Sequence, residues 1–300
     1  MSQKTAKKQR SNAARVAPHR PPRSSNRGLW VAGGSVAVVV AAVIVLIVAR
    51  AGGGSPATPA AGGQQGSTPA PAAVVKAVTT ITAAQFDRIG RGTVLGQPIA
   101  IKGKPLSQSG RPLVVYVGAE YCPYCAAQRW AVVAALARFG TFTNLGATHS
   151  STVDVYPDTR TFSFHGASYT SSYISFSPVE TQSNLVVGNH YANLDAPTAL
   201  QQRLIETYDV PPYVSAANTG AIPFIDFGNR YVTIGAQYRP EVLQGLTMQQ
   251  IAAALRDPTS AVATSVLGAA NSISATICRL TGSRPASVCS SSGVSAYAHG

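Results

Sequence analysis

The chain has 300 residues, with 24 Lys or Arg against 11 Asp or Glu and a formal net charge of +13 at pH 7. Eight basic residues fall within the first 28 positions, where there is no Asp or Glu, and residues 79–300 carry 14 basic against 11 acidic residues. Because the charge excess is local, the composition excludes a generally basic nucleic-acid-binding domain, and a nucleic-acid partner is not expected.

Residues 29–49 are uncharged and rich in Val, Ala and Ile, and this segment is long enough for one membrane-spanning helix. We therefore predict a basic cytoplasmic tail (1–28), a transmembrane helix (29–49) and an extracytoplasmic remainder, anchored in the lipid bilayer of the cell membrane. A cleaved signal peptide is the alternative, since Ala49-Arg50-Ala51 resembles a small-x-small site, although signal-peptide cores span only about 7 to 15 residues. Both interpretations export the rest of the chain.

A linker is predicted next, over residues 50–78. Its first part, from Ala51 to about Ala73, consists mostly of Gly, Pro, Ala, Ser, Thr and Gln, and such a composition cannot build a core. Residues 79–300 are long enough for one sizeable core, or for a core with an inserted subdomain.

In chain order, the first half of this domain predicts a helix over 83–89 ended by Gly90, a strand or hairpin over 94–101, an apolar strand over 113–118 and a helix over 123–139 ended by Gly140. The second half predicts strands over 153–155, 161–164 and 172–176, a helix over 197–208, a hairpin of 222–227 with 231–234, a helix over 247–255, and an amphipathic helix containing Val262, Val266, Ile273 and Ile277.

Cys122-Pro123-Tyr124-Cys125 opens the helix that follows the apolar strand. A helix N-terminus stabilises a thiolate, so Cys122 is the candidate nucleophile, and Cys125 is placed to resolve a mixed disulfide formed on Cys122. A structural disulfide and half of a zinc site remain alternatives, although zinc needs two more ligands and the sequence has no second Cys-x-x-Cys. We expect no metal and no cofactor.

The order of strand, Cys-x-x-Cys, helix and proline-led hairpin resembles the thioredoxin superfamily. The resemblance implies an α/β, thioredoxin-like fold, here with an enlarged middle insertion and a C-terminal helical extension. It also implies a cis proline facing the dithiol, which corresponds to Pro223, and substrate binding by the backbone of Ile222. A trans proline at a strand start is the alternative, and Pro211-Pro212 is a competing turn proline with no hairpin after it.

More narrowly, the chain resembles an uncharacterised family of bacterial and archaeal membrane-anchored proteins with a thioredoxin-like domain of unknown function. The residues that carry this resemblance are 118–130, 138–140, 222–226, Ile277-Cys278 and Val288-Cys289. The family implies a redox-active dithiol but supplies no substrate.

Two differences from better-known relatives leave the direction of electron flow open. The Pro-Tyr dipeptide occurs in glutaredoxins, whereas strongly oxidising periplasmic relatives have Pro-His. Thioredoxins carry a buried carboxylate on the strand before the motif, where this chain has Tyr116. Glu120 is a candidate for proton transfer to Cys125, and the alternative is a solvated carboxylate at the strand end.

Cys278 and Cys289 are predicted to form a structural disulfide that joins the C-terminal tail to the preceding helix. Closing so short a loop stabilises the fold by ~2 to 3 kcal/mol in the chain-entropy model. A second redox pair is the alternative. Four cysteines, an even number, agree with an oxidising exterior.

These features predict a membrane-anchored thiol-disulfide oxidoreductase that acts on exported thiol-containing proteins as oxidant, isomerase or reductant. Such a dithiol needs a membrane redox partner, either a quinone-linked reoxidase or a thiol electron transporter. The alternative is a cell-envelope binding or assembly protein that keeps the fold and uses the dithiol only structurally.

Overall fold

The computed structural model describes residues 67–297. The predicted cytoplasmic tail, the predicted transmembrane helix and most of the predicted linker lie outside these residues. Within them the chain forms a mixed α/β domain, with a run of seven strands between the helices at 123–136 and 199–208 and a run of helices at its C-terminal end.

The helices are α1 Ala72–Thr79, α2 Ala83–Ile89, α3 Pro123–Leu136, α4 Ala199–Tyr208, α5 Met248–Ala254, α6 Ala261–Leu280, α7 Ala286–Cys289 and α8 Ser292–Ser295. The strands are β1 Thr68–Pro69, β2 Ile99–Ala100, β3 Ser107–Gln108, β4 Arg111–Gly118, β5 Gly140–Thr143, β6 Gly146–His149, β7 Arg160–Ser163, β8 Ser168–Ser171, β9 Ser175–Glu180, β10 Gln182–Val187, β11 His190–Asn193, β12 Phe224–Phe227 and β13 Tyr231–Ile234.

Strand β4 lies in the middle of the main sheet. Its apolar run Leu-Val-Val-Tyr-Val is buried on both faces, as expected of a central strand. Strands β12, β13 and β2 continue the sheet on one side in antiparallel order, and β9 pairs with β4 in parallel. Val117 therefore lies opposite Phe224, and Gly118 lies opposite Glu180, so three strand ends meet where the Cys-x-x-Cys begins.

Helix α3 begins at the end of β4 and passes through the core. Pro123 occupies its first turn, where a missing N–H costs little. Every residue from Cys125 to Leu136 is buried. The Trp130 ring lies 4.6 Å from the Phe162 ring, and its indole N–H donates to the carbonyl of Arg160 at 2.9 Å. These contacts hold the helix against the middle strands.

Helix α6 has the predicted apolar face, but it is more buried than an amphipathic surface helix. Sixteen of its 20 residues are buried, so its polar side also packs inside the domain. Its many Ala, Ser and Gly residues allow close packing on all sides; a Cβ at Gly268 would lie only 2.6 Å from the carbonyl of Arg91. Among the described residues, this helix alone is long and apolar enough to cross a membrane, but 89% of its apolar window is buried inside the domain.

Cys278 and Cys289 form a disulfide that joins the end of α6 to α7. The two cysteines are 11 residues apart, and the chain-entropy model gives a cross-link over so short a loop about 3 kcal/mol of stabilisation.

Several element predictions are confirmed within a few residues: the helices at 83–89, 123–139, 197–208 and 247–255, and the hairpin at 222–234. Caps explain this accuracy, because Thr82, Thr198 and Thr247 each begin a helix with a capping box.

Three predictions need correction. The predicted linker ends too late in the chain, because β1 lies within it and α1 begins within it. Val74 and Val78 are buried, and two apolar positions four residues apart are too short a pattern to be recognised in an Ala-rich segment. Residues 94–101 form a strand only at Ile99–Ala100. Residues 153–155 form a turn and a bend rather than a strand, and Val153 and Val155 face solvent despite their β-branched side chains.

A buried carboxylic acid lies on the face of the main sheet that carries Phe224. Asp226 lies on β12, two residues after Phe224, and is fully buried. One carboxylate oxygen accepts the Asn229 N–H at 2.7 Å, and the other has no hydrogen-bond partner among the described residues. Burial raises the pKa of Asp226 to about 7.

We expect Asp226→Asn to stabilise the protein by about 3 to 4 kcal/mol more at pH 8 than at pH 4, where its effect is small. The folded pKa lies above the unfolded one, so the carboxyl is tolerated in the fold at acid pH and becomes increasingly costly as pH rises toward and through about 7. Urea unfolding of both proteins at the two pH values measures the difference. An equal effect at both would contradict the assignment.

Candidate dithiol site

The structure brings together four residues that the sequence singled out. Cys122 caps α3, and its Sγ accepts the N–H of Cys125 at 3.3 Å. The same thiol donates to the carbonyl oxygen of Ile222 at 3.6 Å, and the Ile222–Pro223 peptide bond is cis. Both cysteines are free thiols in this structure.

A cis proline is not by itself what distinguishes Pro223. The competing Pro211–Pro212 bond is also cis, as is Arg284–Pro285. Pro223 differs because the residue before it contacts the Cys122 thiol and because β12 begins directly after it.

The two thiols differ in exposure and in acidity. Cys122 is 6% exposed and Cys125 is fully buried. Burial opposes ionisation of Cys122, but hydrogen bonds from the thiol and amide of Cys125 outweigh it, and the pKa of Cys122 lies below its ordinary value. Burial and the thiol hydrogen bond to Cys122 raise the pKa of Cys125 well above the ordinary value. The nucleophilic and resolving roles predicted from the sequence therefore fall on chemically different groups.

A buried ion pair lies behind the dithiol, and the sequence reasoning missed it. Arg129 donates from Nε and Nη2 to the two carboxylate oxygens of Glu180 at 2.7 and 2.6 Å, and both side chains are fully buried. Nη2 also donates to the carbonyl of Ala119 at 2.7 Å, the oxygen that accepts the N–H of Cys122. The available signal was a single charged residue, one turn after Cys125, in a helix that is otherwise uncharged.

Glu120 is fully buried and accepts hydrogen bonds from Ser163 at 2.6 Å and from Thr148 at 3.2 Å. The interpretation of Glu120 as a solvated carboxylate at the strand end is therefore wrong, because β6 and β7 of the middle region cover it. A different buried acid, Glu180, contributes through its charge to the raised pKa of Cys125. A role for Glu120 in proton transfer stays a prediction.

Aromatic side chains fix the surroundings of Cys122. The Tyr121 ring stacks on Tyr191 of β11 at 4.2 Å, and the Tyr191 hydroxyl donates to Ser151 Oγ at 2.7 Å. The N–H of Ser151 in turn donates to the carbonyl of Tyr121 at 2.7 Å. The 150–159 loop and the β10–β11 hairpin are thereby tied to the residue before Cys122.

These segments also carry exposed apolar side chains. Tyr124 within the motif is 41% exposed, and the remaining members are Val153 (83%), Val155 (66%), Val186 (63%) and Val187 (52%). We call these five residues the apolar rim. Single exposed apolar residues are ordinary; these five share the feature that they lie in the motif or on segments tied to the residue before Cys122.

Within residues 67–297, no three His, Cys, Asp or Glu side chains are grouped so that they could hold a metal ion. The described residues therefore offer the dithiol no further ligands for the zinc alternative.

The protein is an α/β domain with a buried dithiol site at the start of a core helix, beside a hairpin that follows a cis proline. The two thiols of this site differ in exposure and in acidity. The chain belongs to the family described as Domain of unknown function (DUF929), which matches residues 97–279. The matched range includes both thiols, the buried ion pair and Pro223, and it ends before Cys289. No curated protein and no solved structure matches the chain.

Proposed function

We propose that this protein is a thiol-disulfide oxidoreductase with a thioredoxin-like domain, acting on exported proteins through Cys122 and Cys125. The observation that carries the proposal is the asymmetry of the pair. A thiol with a lowered pKa at a helix N-terminus lies against a fully buried thiol with a raised pKa. Nucleophilic attack and resolution need that division of roles.

In the oxidising direction, a client thiolate attacks Cys122 Sγ of the disulfide form. A client–Cys122 disulfide forms, the Cys122–Cys125 bond breaks, and Cys125 leaves with the bonding electrons as a thiolate. A second client thiolate then attacks the client sulfur of the mixed disulfide and releases Cys122. Two client thiols are oxidised and the dithiol is reduced by two electrons; the reductive reaction runs the same steps backward.

The Ile222 carbonyl supports a polypeptide as the client. It lies 3.6 Å from Cys122 Sγ, just before the first residue of β12. An extended client segment beside it would pair with this backbone as an added strand and hold its cysteine against Cys122. The apolar rim supplies side-chain contacts that a small thiol would not use.

The remainder of the proposal follows from the N-terminal sequence. A single-pass anchor with a cytoplasmic N-terminus would hold the domain on the outer side of the cell membrane. A quinone-linked reoxidase or a thiol electron transporter in that membrane would restore the dithiol after each turnover, depending on the direction of electron flow.

Replacing Cys125 with serine tests the function. The variant keeps Cys122 and loses the resolving thiol, so we expect mixed disulfides between Cys122 and exported proteins to accumulate in the native envelope. Non-reducing electrophoresis, with and without reductant, detects them as reductant-sensitive adducts. The matched control is the Cys122→Ser/Cys125→Ser double variant, which should trap none.

If the Cys125→Ser protein forms no adducts beyond the double variant, the oxidoreductase proposal fails. The result would then favour an envelope binding or assembly protein with a non-catalytic dithiol.

A further inference from the structure

Two buried hydrogen-bond donors near the dithiol are unused. The Tyr116 hydroxyl and Nη1 of Arg129 have no hydrogen-bond partner among the residues the structure describes, and both side chains are fully buried. An unpaired buried donor costs free energy, and a guanidinium N–H costs more than a neutral one. Two of them together therefore require an explanation.

Both side chains reach the end of β4, the strand that leads into the thiol motif. A Cβ on Gly118 would collide with the Tyr116 hydroxyl, which places that hydroxyl against the last residue of β4. Arg129 lies one helical turn after Cys125. Its guanidinium donates to the carbonyl of Ala119, the residue that follows Gly118. The phenol and the guanidinium thus converge on neighbouring residues just before Cys122.

Cys125 is the buried group here that becomes an anion during dithiol exchange. When the Cys122–Cys125 bond opens, Cys125 leaves as a thiolate. The site gives it no access to water, since the Cys125 side chain is fully buried. Cys125 interacts electrostatically with both Tyr116 and Arg129. A thiolate at this position needs donors, and two unused donors face the same region.

On the basis of the proposed function, we propose that the Tyr116 hydroxyl and Nη1 of Arg129 stabilise the thiolate of Cys125 in the step that opens or closes its disulfide with Cys122. This holds for either direction of electron flow, because the Cys125 thiolate is the leaving group in one direction and the attacking group in the other. Tyr116 stands where thioredoxins have a carboxylate, so this chain would use donors to an anion in place of a base.

The groups that set the charge around Cys125 come from β4, α3, β9 and the loop between β4 and α3. They are Tyr116 of β4, Tyr121 of the loop, Cys122 at the N-cap of α3, Arg129 within α3 and Glu180 of β9. Glu180 opposes a thiolate on Cys125, but two N–H groups of Arg129 engage its charge. Tyr116 is the group to vary, because Arg129 also holds Glu180 and its replacement would disturb the fold.

The experiment uses the reduced protein and the disulfide reagent 5,5′-dithiobis(2-nitrobenzoic acid). Cys122 attacks first and releases one coloured thiolate; Cys125 then attacks the mixed disulfide and releases the second, so that two electrons pass from the dithiol to the reagent. The second phase does not depend on reagent concentration, and its pH profile follows ionisation of Cys125. We expect Tyr116→Phe to slow this phase about tenfold at neutral pH and to move its midpoint upward by about one pH unit.

Thermal unfolding separates this effect from a structural one. Tyr116→Phe removes an unpaired hydroxyl, so its melting temperature should stay the same or rise. The matched control is Tyr238→Phe, another fully buried tyrosine, whose hydroxyl donates to the carbonyl of Ala127 on α3. That variant should melt at a lower temperature and keep the second phase unchanged.

The outcomes distinguish the two proposals. If the wild-type protein releases no second thiolate, the proposed function fails, and this inference fails with it. If both phases occur and Tyr116→Phe leaves the pH profile of the second phase unchanged, the inference is overturned while the oxidoreductase proposal stands.

Discussion

Replacing Glu180 with glutamine is expected to lower the free energy of unfolding by about 3 to 5 kcal/mol. Glu180 accepts two short hydrogen bonds from Arg129, and neither side chain is exposed to water. Glutamine keeps the size and one acceptor oxygen, but it leaves the guanidinium as an uncompensated buried charge. Urea unfolding followed by circular dichroism measures the loss.

The exposed pair of Asp158 and Arg160 supplies the matched control. Its atoms also approach to 2.8 Å, but the side chains are 43% and 46% exposed. Asp158→Asn should therefore cost less than about 1 kcal/mol. Similar losses for the two variants would show that burial does not set the energy of the inner pair.

This ion pair also shows why the sequence predicted only half of the site. Cys122 and Cys125 are neighbours along the chain, and their setting follows from one strand end and one helix start, which local patterns indicate. Arg129 and Glu180 are 51 residues apart. Their contact depends on β9 pairing in parallel with β4, a register that no local pattern indicates.

The same distinction explains the fold. Elements with a cap or a turn signal, such as α4 and the β12–β13 hairpin, could be predicted because their ends are encoded next to them. Helix α6 could not be recognised as a helix buried on both its apolar and its polar side, because the elements that cover its polar side are distant in sequence. Asn271 on that side donates to the carbonyls of Phe86 and Gly90, from α2 and its C-terminal cap.

The middle region, residues 140–195, contributes side chains directly to the surroundings of the dithiol. Tyr191 stacks on Tyr121, Ser163 donates to Glu120, and Glu180 pairs with Arg129. All three come from residues 140–195, between α3 and α4. The dithiol and the cis proline form the reactive face, while this region builds the aromatic surroundings and the buried charges behind it.

Alkylation of the reduced protein by iodoacetamide should occur at Cys122 and follow a pH midpoint below that of an ordinary thiol, about 8.5. Hydrogen bonds from Cys125 hold the pKa of Cys122 below its ordinary value, so the rate should rise with pH through the lowered pKa and then level off. Mass spectrometry of quenched samples gives the rate at each cysteine.

Variants assign the reaction to one sulfur. Cys122→Ser should reduce labelling to background, since Cys125 is fully buried with a raised pKa, whereas Cys125→Ser should keep labelling at Cys122 because a hydroxyl still faces its sulfur. Cys278 and Cys289 serve as an internal control. They do not react with iodoacetamide as long as the reductant leaves their disulfide closed. Faster labelling of Cys125 than of Cys122 would reverse the assigned roles, and with them the order of attack and resolution.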